Sequence, residues 1–507
     1  MKTVYSVNDS GSTSSILEVQ SHLSSGLPTL QMIGVIGRSL DEARERVRSA
    51  YASSKIEFPR KKITVNIAPS DTAKDGSHID VAIALSIALE AGQIKSLDHG
   101  GDSPIVLGEL SLDGTIKPIR GILGKILLGK AAGYTHFILP KDNLLQASLI
   151  PDIHLSPVDS LKQLYRDLSG PGVVYADTKS GAVINRDNHS PIVDFSDVVG
   201  QQLAKRALEI AAAGQHNIML SGPPGVGKSM LAKAMTSIMP LLTRDEIITI
   251  THIHSLATGN GAKLITTRPV RSPHHSSSDV AIIGGGQKPK PGEVSLSHKG
   301  ILFLDELPEF KRSTIESLRQ PLEDRVVTVS RAQQTNEYPA DFLLVATKNP
   351  CPCGYYGSSK PCVCSPLELD RYQKKLSGPL MDRIDLHVTV DSIDHTSLLQ
   401  SRKPTEGESS DVIRTRIQNT IDKQSGRFSS TSSRNGHMNN KQVKSHSQLT
   451  SEAKEFLDTA ATKLDLSARV YMKTVKVART IADLDGLPDV ELQHITEALQ
   501  YRPIKQS

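Results

Sequence analysis

The run Gly222-Pro223-Pro224-Gly225-Val226-Gly227-Lys228-Ser229 has the residue types and spacing to hold a triphosphate. It fits G-x-x-x-x-G-K-[ST] and lies between an apolar stretch, Ile218-Met219-Leu220, and a helical-looking one, Met230 to Met239. Glycines let successive backbone N–H groups curl around phosphate oxygens, and a helix N-terminus adds partial positive charge. Lys228 can reach the β- and γ-phosphates, and the Ser229 hydroxyl can ligate Mg²⁺. Some seventy residues on, Ile301-Leu302-Phe303-Leu304-Asp305-Glu306 reads as a strand buried on both faces that ends in two acids. Asp305 suits a Mg²⁺ ligand, directly or through water. Glu306 suits a general base for the attacking water. The bland alternative is a pair of acids capping the next helix. The strand Phe342 to Thr347 ends near Asn349, whose amide can sense a γ-phosphate and orient the water. Arg383 offers a guanidinium for charge spread over a transferring phosphoryl group, from its own or a neighbouring subunit. Its bland alternative is a pairing with Asp382 or Asp385.

A second chemical cluster is made of sulfur. The chain has four cysteines, and all lie between Cys351 and Cys364, at Cys351, Cys353, Cys362 and Cys364. Inside a cell disulfides are disfavoured. Four neighbouring thiolates suit tetrahedral Zn²⁺, although C-x-C pairs are not the usual C-x-x-C knuckle. The alternative is four reduced thiols in a loop.

These groups need a scaffold, and 507 residues provide for two to four domains. No apolar run approaches about 18 residues, so no membrane span is expected. The N-terminus, Met1 to Ser6, lacks the apolar stretch of a signal peptide, and a cytoplasmic location is expected. A net charge of +5 does not by itself argue for nucleic acid, so any basic surface must be local.

Residues 1–168 read as an α/β domain. Lys62 to Ile67 alternates as a strand, and a capping box at Ser39 and Glu42 opens a helix over 39–51. Ile79 to Ala91 reads as a buried helix. Ile105 to Leu110 and Thr115 to Ile119 read as a hairpin about Asp113-Gly114, followed by a helix over 121–132 and a strand at 137–139. Residues 169–191 are rich in turn formers and read as a linker. Residues 192–395 alternate strand and helix, the pattern of a doubly wound parallel sheet. Residues 396–450 read as a basic polar connector, either solvated or near nucleic acid. Residues 451–507 read as a small helical domain.

The stretch Arg268 to His275, Gly284-Gly285-Gly286, Pro291-Gly292-Glu293 and Gly300 to Glu306 is distinctive. Together with Asn349-Pro350-Cys351-Pro352-Cys353-Gly354 and Ala478 to Leu484, it resembles the YifB/ComM family of magnesium-chelatase-like AAA+ ATPases over nearly the whole chain. The resemblance implies an AAA+ P-loop core, a C-terminal helical lid, ATP and Mg²⁺, and a homo-hexameric ring. It further implies a helicase that promotes branch migration on branched or single-stranded DNA in natural transformation or homologous recombination, with recombination proteins as partners. It makes Asn349 sensor 1, Arg383 the arginine finger and Arg469 sensor 2, with Arg479 as runner-up. Residues 268–300 and 325–340 then correspond to pore loops. They offer Arg268, Arg271, His274, His275, Lys288, Lys290, Lys299, Arg325 and Arg331 to a phosphate backbone. Lys348 departs from the usual apolar residue before sensor 1 and is expected to touch phosphate or face solvent.

The N-terminal domain resembles the proteolytic domain of Lon through Ala73 to His78 and Gly108 to Gly121. The nucleophile position falls on His78 and the lysine position on Leu123, with Ser77 and Lys125 one and two residues out of register. One residue on a helix redirects a side chain by about 100°, so a non-proteolytic module for assembly or DNA binding is expected. The competing functions are a metal-chelatase motor subunit and an ATP-dependent Lon-like protease or remodeller. A non-motor ATP switch has no need of Glu306.

Overall fold

The computed structural model describes all residues except 1, 11–12, 34–37, 70–75, 98–101, 171–175, 178–192, 258–263, 287–288, 332–333, 359, 377, 392–407 and 504–507. The chain folds into two compact units, one of them containing residues 1–186, 243–266 and 328–337.

The first unit is built on an eight-stranded mixed sheet. From edge to edge its strands are 176–177, 154–158, 136–140, 105–106, 3–10, 13–24, 62–68 and 29–33. Strand Lys62–Ala68 alternates as its sequence does, with Ile63, Val65 and Ile67 wholly buried. Helix Asp80–Glu90 is apolar on every side and lies buried along nearly its full length. Helix Arg38–Ser53 adds Ala43, Val47 and Ala50 to the same core. The Ser39 side chain of the expected capping box lies outside the described residues, and Glu42 lies 3.6 Å from Arg46.

Two expectations are corrected here. The 105–119 hairpin is divided: Glu109–Leu110 pairs with Ile116–Lys117, while Ile105–Val106 pairs with Phe137–Ile138 in the large sheet. Gly108 causes the break, because its N–H bonds to the His78 carbonyl and a Cβ there would lie 2.7 Å from the Val81 side chain. Second, residues 243–266, expected within the nucleotide core, belong to this unit. Helix Arg244–Ala257 lays the His252 ring against Gly124, where a Cβ would lie 2.4 Å from it.

The second unit contains residues 187–242, 267–327 and 338–507. Its strands are β1 (Ile218–Ser221), β2 (Val270–Arg271), β3 (Ile301–Leu304), β4 (Leu343–Lys348) and β5 (Leu386–Thr389). All pairings are parallel, in the order β2-β3-β4-β1-β5. The central strands are buried on both faces, which their unbroken apolar runs require. Since β1 is not beside β2, its carboxyl end emerges next to β4, the switch point where such sheets bind ligands.

Helices α1 (Gln202–Gly214), α2 (Lys228–Ile238), α3 (Ser410–Phe428) and α4 (Ala468–Leu484) share one apolar core with the sheet. The 19-residue α3 corrects the polar connector. Its Ile413, Ile417 and Ile421 form a buried stripe. Its cations are internal fasteners: Arg416 bonds Glu209 and Glu408, Arg427 grips Asp483, and Arg414 donates to the Ser237 carbonyl.

Candidate functional site

The carboxyl ends of β1, β3 and β4 bring three sequence-distant pieces together. Gly222 passes so close to Val390 that a Cβ would lie 2.2 Å from its carbonyl oxygen. Gly225 and Gly227 take φ of +82° and +94°, values that L side chains resist. The loop thus delivers Lys228 and Ser229 at the first turn of α2.

Lys228 is buried, and its ammonium donates to the carbonyls of Gly222 at 2.6 Å and Pro223 at 2.8 Å and to Asn349 Oδ1 at 3.1 Å. Burial pushes its pKa down, while Asp305 and Glu306 pull it up. Asn349 Nδ2 donates to Glu306 Oε1 at 3.4 Å, so one amide touches both the lysine and the acid. Ser229 Oγ donates to Asp305 Oδ2 at 3.2 Å. This hydroxyl–carboxylate pair is the oxygen donor set that Mg²⁺ prefers. Glu306 sits in the left-handed region at φ 52°, a costly conformation for a non-glycine residue.

No sequence motif marks Thr347. Its hydroxyl donates to Asp305 Oδ1 at 2.5 Å and accepts from the Glu306 N–H at 2.9 Å, fixing both acids. A hydroxyl ending an apolar strand two residues before Asn349 was the available signal. Lys348 bonds neither acid and lines, with Gly222, Pro223, Asn349, Tyr372 and His387, a cavity of about 670 Å³. Burial lowers its pKa.

The arginines separate cleanly. Arg383 pairs with Glu323, rather than Asp382 or Asp385, and donates to the Pro379 carbonyl. Arg469 is largely exposed and pairs with Asp382 at 2.9 Å. Arg479 is wholly buried, bonded to Asp483 and to the carbonyls of Leu487 and Pro488, and so acts as a structural pin. Among the 268–340 cations, Arg271 is neutralised by two bonds to Glu293. Arg268 donates to the carbonyls of Pro240, Leu241 and Lys299, and Lys299 pairs with Asp341 at 2.6 Å. Arg325 is half-buried near Asp341. His274 and Lys290 are exposed, and the His275 ring lies tilted against His274, 4.0 Å between centroids, and edge-to-face with Phe310. Lys288 and the Arg331 side chain lie outside the described residues. Strands Val326–Arg331 and Gln334–Pro339 form a two-stranded sheet, as a hairpin at 325–340 would.

The four cysteine sulfurs lie within 4.8 Å of one another. In the first unit, Ser77 donates its hydroxyl to Glu109, and the His78 ring bonds the Val7 carbonyl at 2.8 Å. Leu123 and Lys125 are both buried on helix Ile122–Ala131. Ala73 to Asp75 lie outside the described residues.

A five-stranded parallel sheet with this loop, acid pair and neighbouring amide fits an AAA+ fold of the magnesium-chelatase type. Residues 194–398 match the family described as magnesium chelatase, subunit ChlI. Residues 19–143 match subunit ChlI of Mg-chelatase, and 407–502 its C-terminal region. The chain is 37% identical to competence protein ComM of Haemophilus influenzae over 98% of this chain and 97% of that protein. It is 38% identical to YifB of Escherichia coli over 96% of this chain and 94% of the relative. A 67 kDa magnesium-chelatase subunit of Chlorobaculum parvum is 28% identical over 31% of this chain and 24% of its own length. The chain belongs to the YifB/ComM family of magnesium-chelatase-like proteins, for which use of ATP and Mg²⁺ is the family trait. No described helix is long and apolar enough to cross a membrane.

Proposed function

We propose that this protein is an ATP-hydrolysing ring motor on DNA, a ComM-like helicase that drives branch migration. The observation that carries the reading is the single contact set in which Asn349 touches Lys228 and Glu306 while Thr347 and Ser229 hold Asp305. Lys228 and the loop N–H groups take the phosphates. Ser229 and Asp305 hold Mg²⁺, which when bound neutralises charge on the phosphates. Glu306 accepts a proton from the attacking water, and Asn349 orients that water. Neither Arg383 nor Arg469 bonds to this cluster within one chain. They therefore serve best as finger and sensor 2 at a neighbouring subunit's site, in a homo-hexamer whose C-terminal helices form the lid.

DNA as the substrate rests on the full-length likeness to a competence protein and on exposed His274 and Lys290. The short overlap with the chelatase subunit favours this over tetrapyrrole metallation. The N-terminal unit is a Lon-like module without proteolysis. The test is migration of a synthetic four-way junction by wild type, Lys228→Ala and Glu306→Gln. Wild type should move the junction with DNA-stimulated ATPase, affinity should fall steeply with salt, and both variants should fail. Wild-type ATPase indifferent to DNA, with no DNA binding, sinks the motor reading.

A further inference from the structure

Asn349 lies two residues before Cys351, at the start of an irregular loop held by a few turn hydrogen bonds. Among its described residues, 351–364 contain no helix or strand, and only Cys351 and Gly354 are buried. Val363 is 84% exposed. Burial of apolar surface therefore does not order this loop. What converges is sulfur. Cys351 lies 3.3 Å from Cys353 and 3.7 Å from Cys362, and Cys353 lies 3.5 Å from Cys362, sulfur to sulfur. Zinc–sulfur bonds of about 2.3 Å in a tetrahedron place sulfurs about 3.8 Å apart. The Tyr356 N–H donates to Cys351 Sγ at 3.3 Å, the kind of outer contact that orients a metal-bound thiolate.

The same loop leans on the nucleotide site. Gly354, at φ +87°, lies so close to Pro224 of the phosphate loop that a Cβ would come within 2.6 Å of its ring. Tyr372 and Asn349 line one cavity beside it. Asn349 in turn holds Lys228 and Glu306.

We propose that Cys351, Cys353, Cys362 and Cys364 bind one zinc ion, and that this ion is a positioning element of the ATP site. It orders a loop with no apolar core, seats Gly354 against Pro224, and fixes the peptide that carries Asn349. Zinc loss frees the sensor amide without removing any group that touches nucleotide. The kinetic part rests on the ATPase reading above; the metal and exchange parts do not.

The test uses the full-length chain purified under reducing conditions. Elemental analysis should find about one zinc per chain, and the Cys362→Ser/Cys364→Ser double variant should have none. In that variant kcat should fall about tenfold or more, with KM for ATP within about threefold. Amide exchange should quicken at 222–229 as well as at 349–364. Zinc returned to chelator-stripped wild type should restore both readouts. Gly354→Ala, which keeps all four sulfurs, should retain zinc yet lower kcat, and it serves if the cysteine variant misfolds. A zinc-free wild type overturns the proposal, as does a zinc-free variant with wild-type kcat and unchanged exchange at 222–229. Zinc-loaded wild type without ATP turnover would instead defeat the ATPase reading, while exchange at the phosphate loop would still decide the zinc link.

Discussion

The phosphate-loop cluster and the Ser77–Asp80 region of the first unit both gather polar groups of catalytic type, and they differ in what those groups are bonded to. Around Ser77 the partners are internal and permanent. Ser77 is tied to Glu109, and Arg46 grips Asp80 with two bonds of 2.7 and 3.1 Å. Asp80 is wholly buried and accepts in addition from the Leu110 N–H. Around Lys228 the partners are exchangeable: two loop carbonyls and one amide hold a cation that a phosphate would hold better. Residue type alone does not distinguish a catalytic serine or acid from a structural one. The availability of its partner does.

That contrast can be broken in graded steps. Lys228→Ala should have the largest effect, lowering kcat/KM for ATP hydrolysis by about 10³-fold, read by a steady-state phosphate-release assay. Glu306→Gln should lower kcat by about 10²-fold while retaining nucleotide in a fluorescent-ADP titration. Equal loss of binding would mean that Glu306 is structural. Arg46→Ala in the other region should cost about 3 kcal/mol of stability in the first unit, because it strands a buried carboxylate. Its ATPase rate per folded chain should not change. Urea unfolding followed by circular dichroism reads this.

A smaller effect follows pH. Burial lifts the Asp80 carboxyl from 3.8 to about 6, against the pull of Arg46. The folded chain then holds this proton more tightly than the unfolded chain. Its contribution is fully present below 3.8 and is lost as pH rises through about 6. Asp80→Asn should flatten that slope, seen as pH-independent protection factors in helix Asp80–Glu90 once amide exchange is corrected for its intrinsic rate. Smallest of all, Ser77→Ala should leave ATPase within about twofold of wild type and release no peptide activity. Casein turnover abolished by Ser77→Ala would turn the first region into a catalytic one.

The site was legible where its chemistry is local. Gly222 to Ser229 and Asp305-Glu306 each carry spacing and context within a few residues. Thr347 escaped notice because its role depends on β3 and β4 lying side by side. Gly354 against Pro224 joins positions 130 residues apart and leaves no periodic trace. The fold is hidden in the sequence where composition outweighs period. Ser410–Phe428 is so polar that Ile413, Ile417 and Ile421, four residues apart, were lost among the cations. At 243–266 the chain leaves one unit for the other, and nothing in its amphipathic pattern names the surface it will cover.

Helix α2 begins at Lys228 and ends beside Ser237, whose carbonyl is clamped by two nitrogens of Arg414 and whose hydroxyl lies 2.6 Å from Ser410. Its 11 residues form a rod about 16 Å long. A rod gripped at both ends does not absorb a push. The far end of α2 is tied to α3, and α3 is tied through Arg427 and Asp483 to α4. The phosphate-loop lysine is thus joined by one short helix to Arg414, a cation that the composition of 396–450 places in a solvated connector.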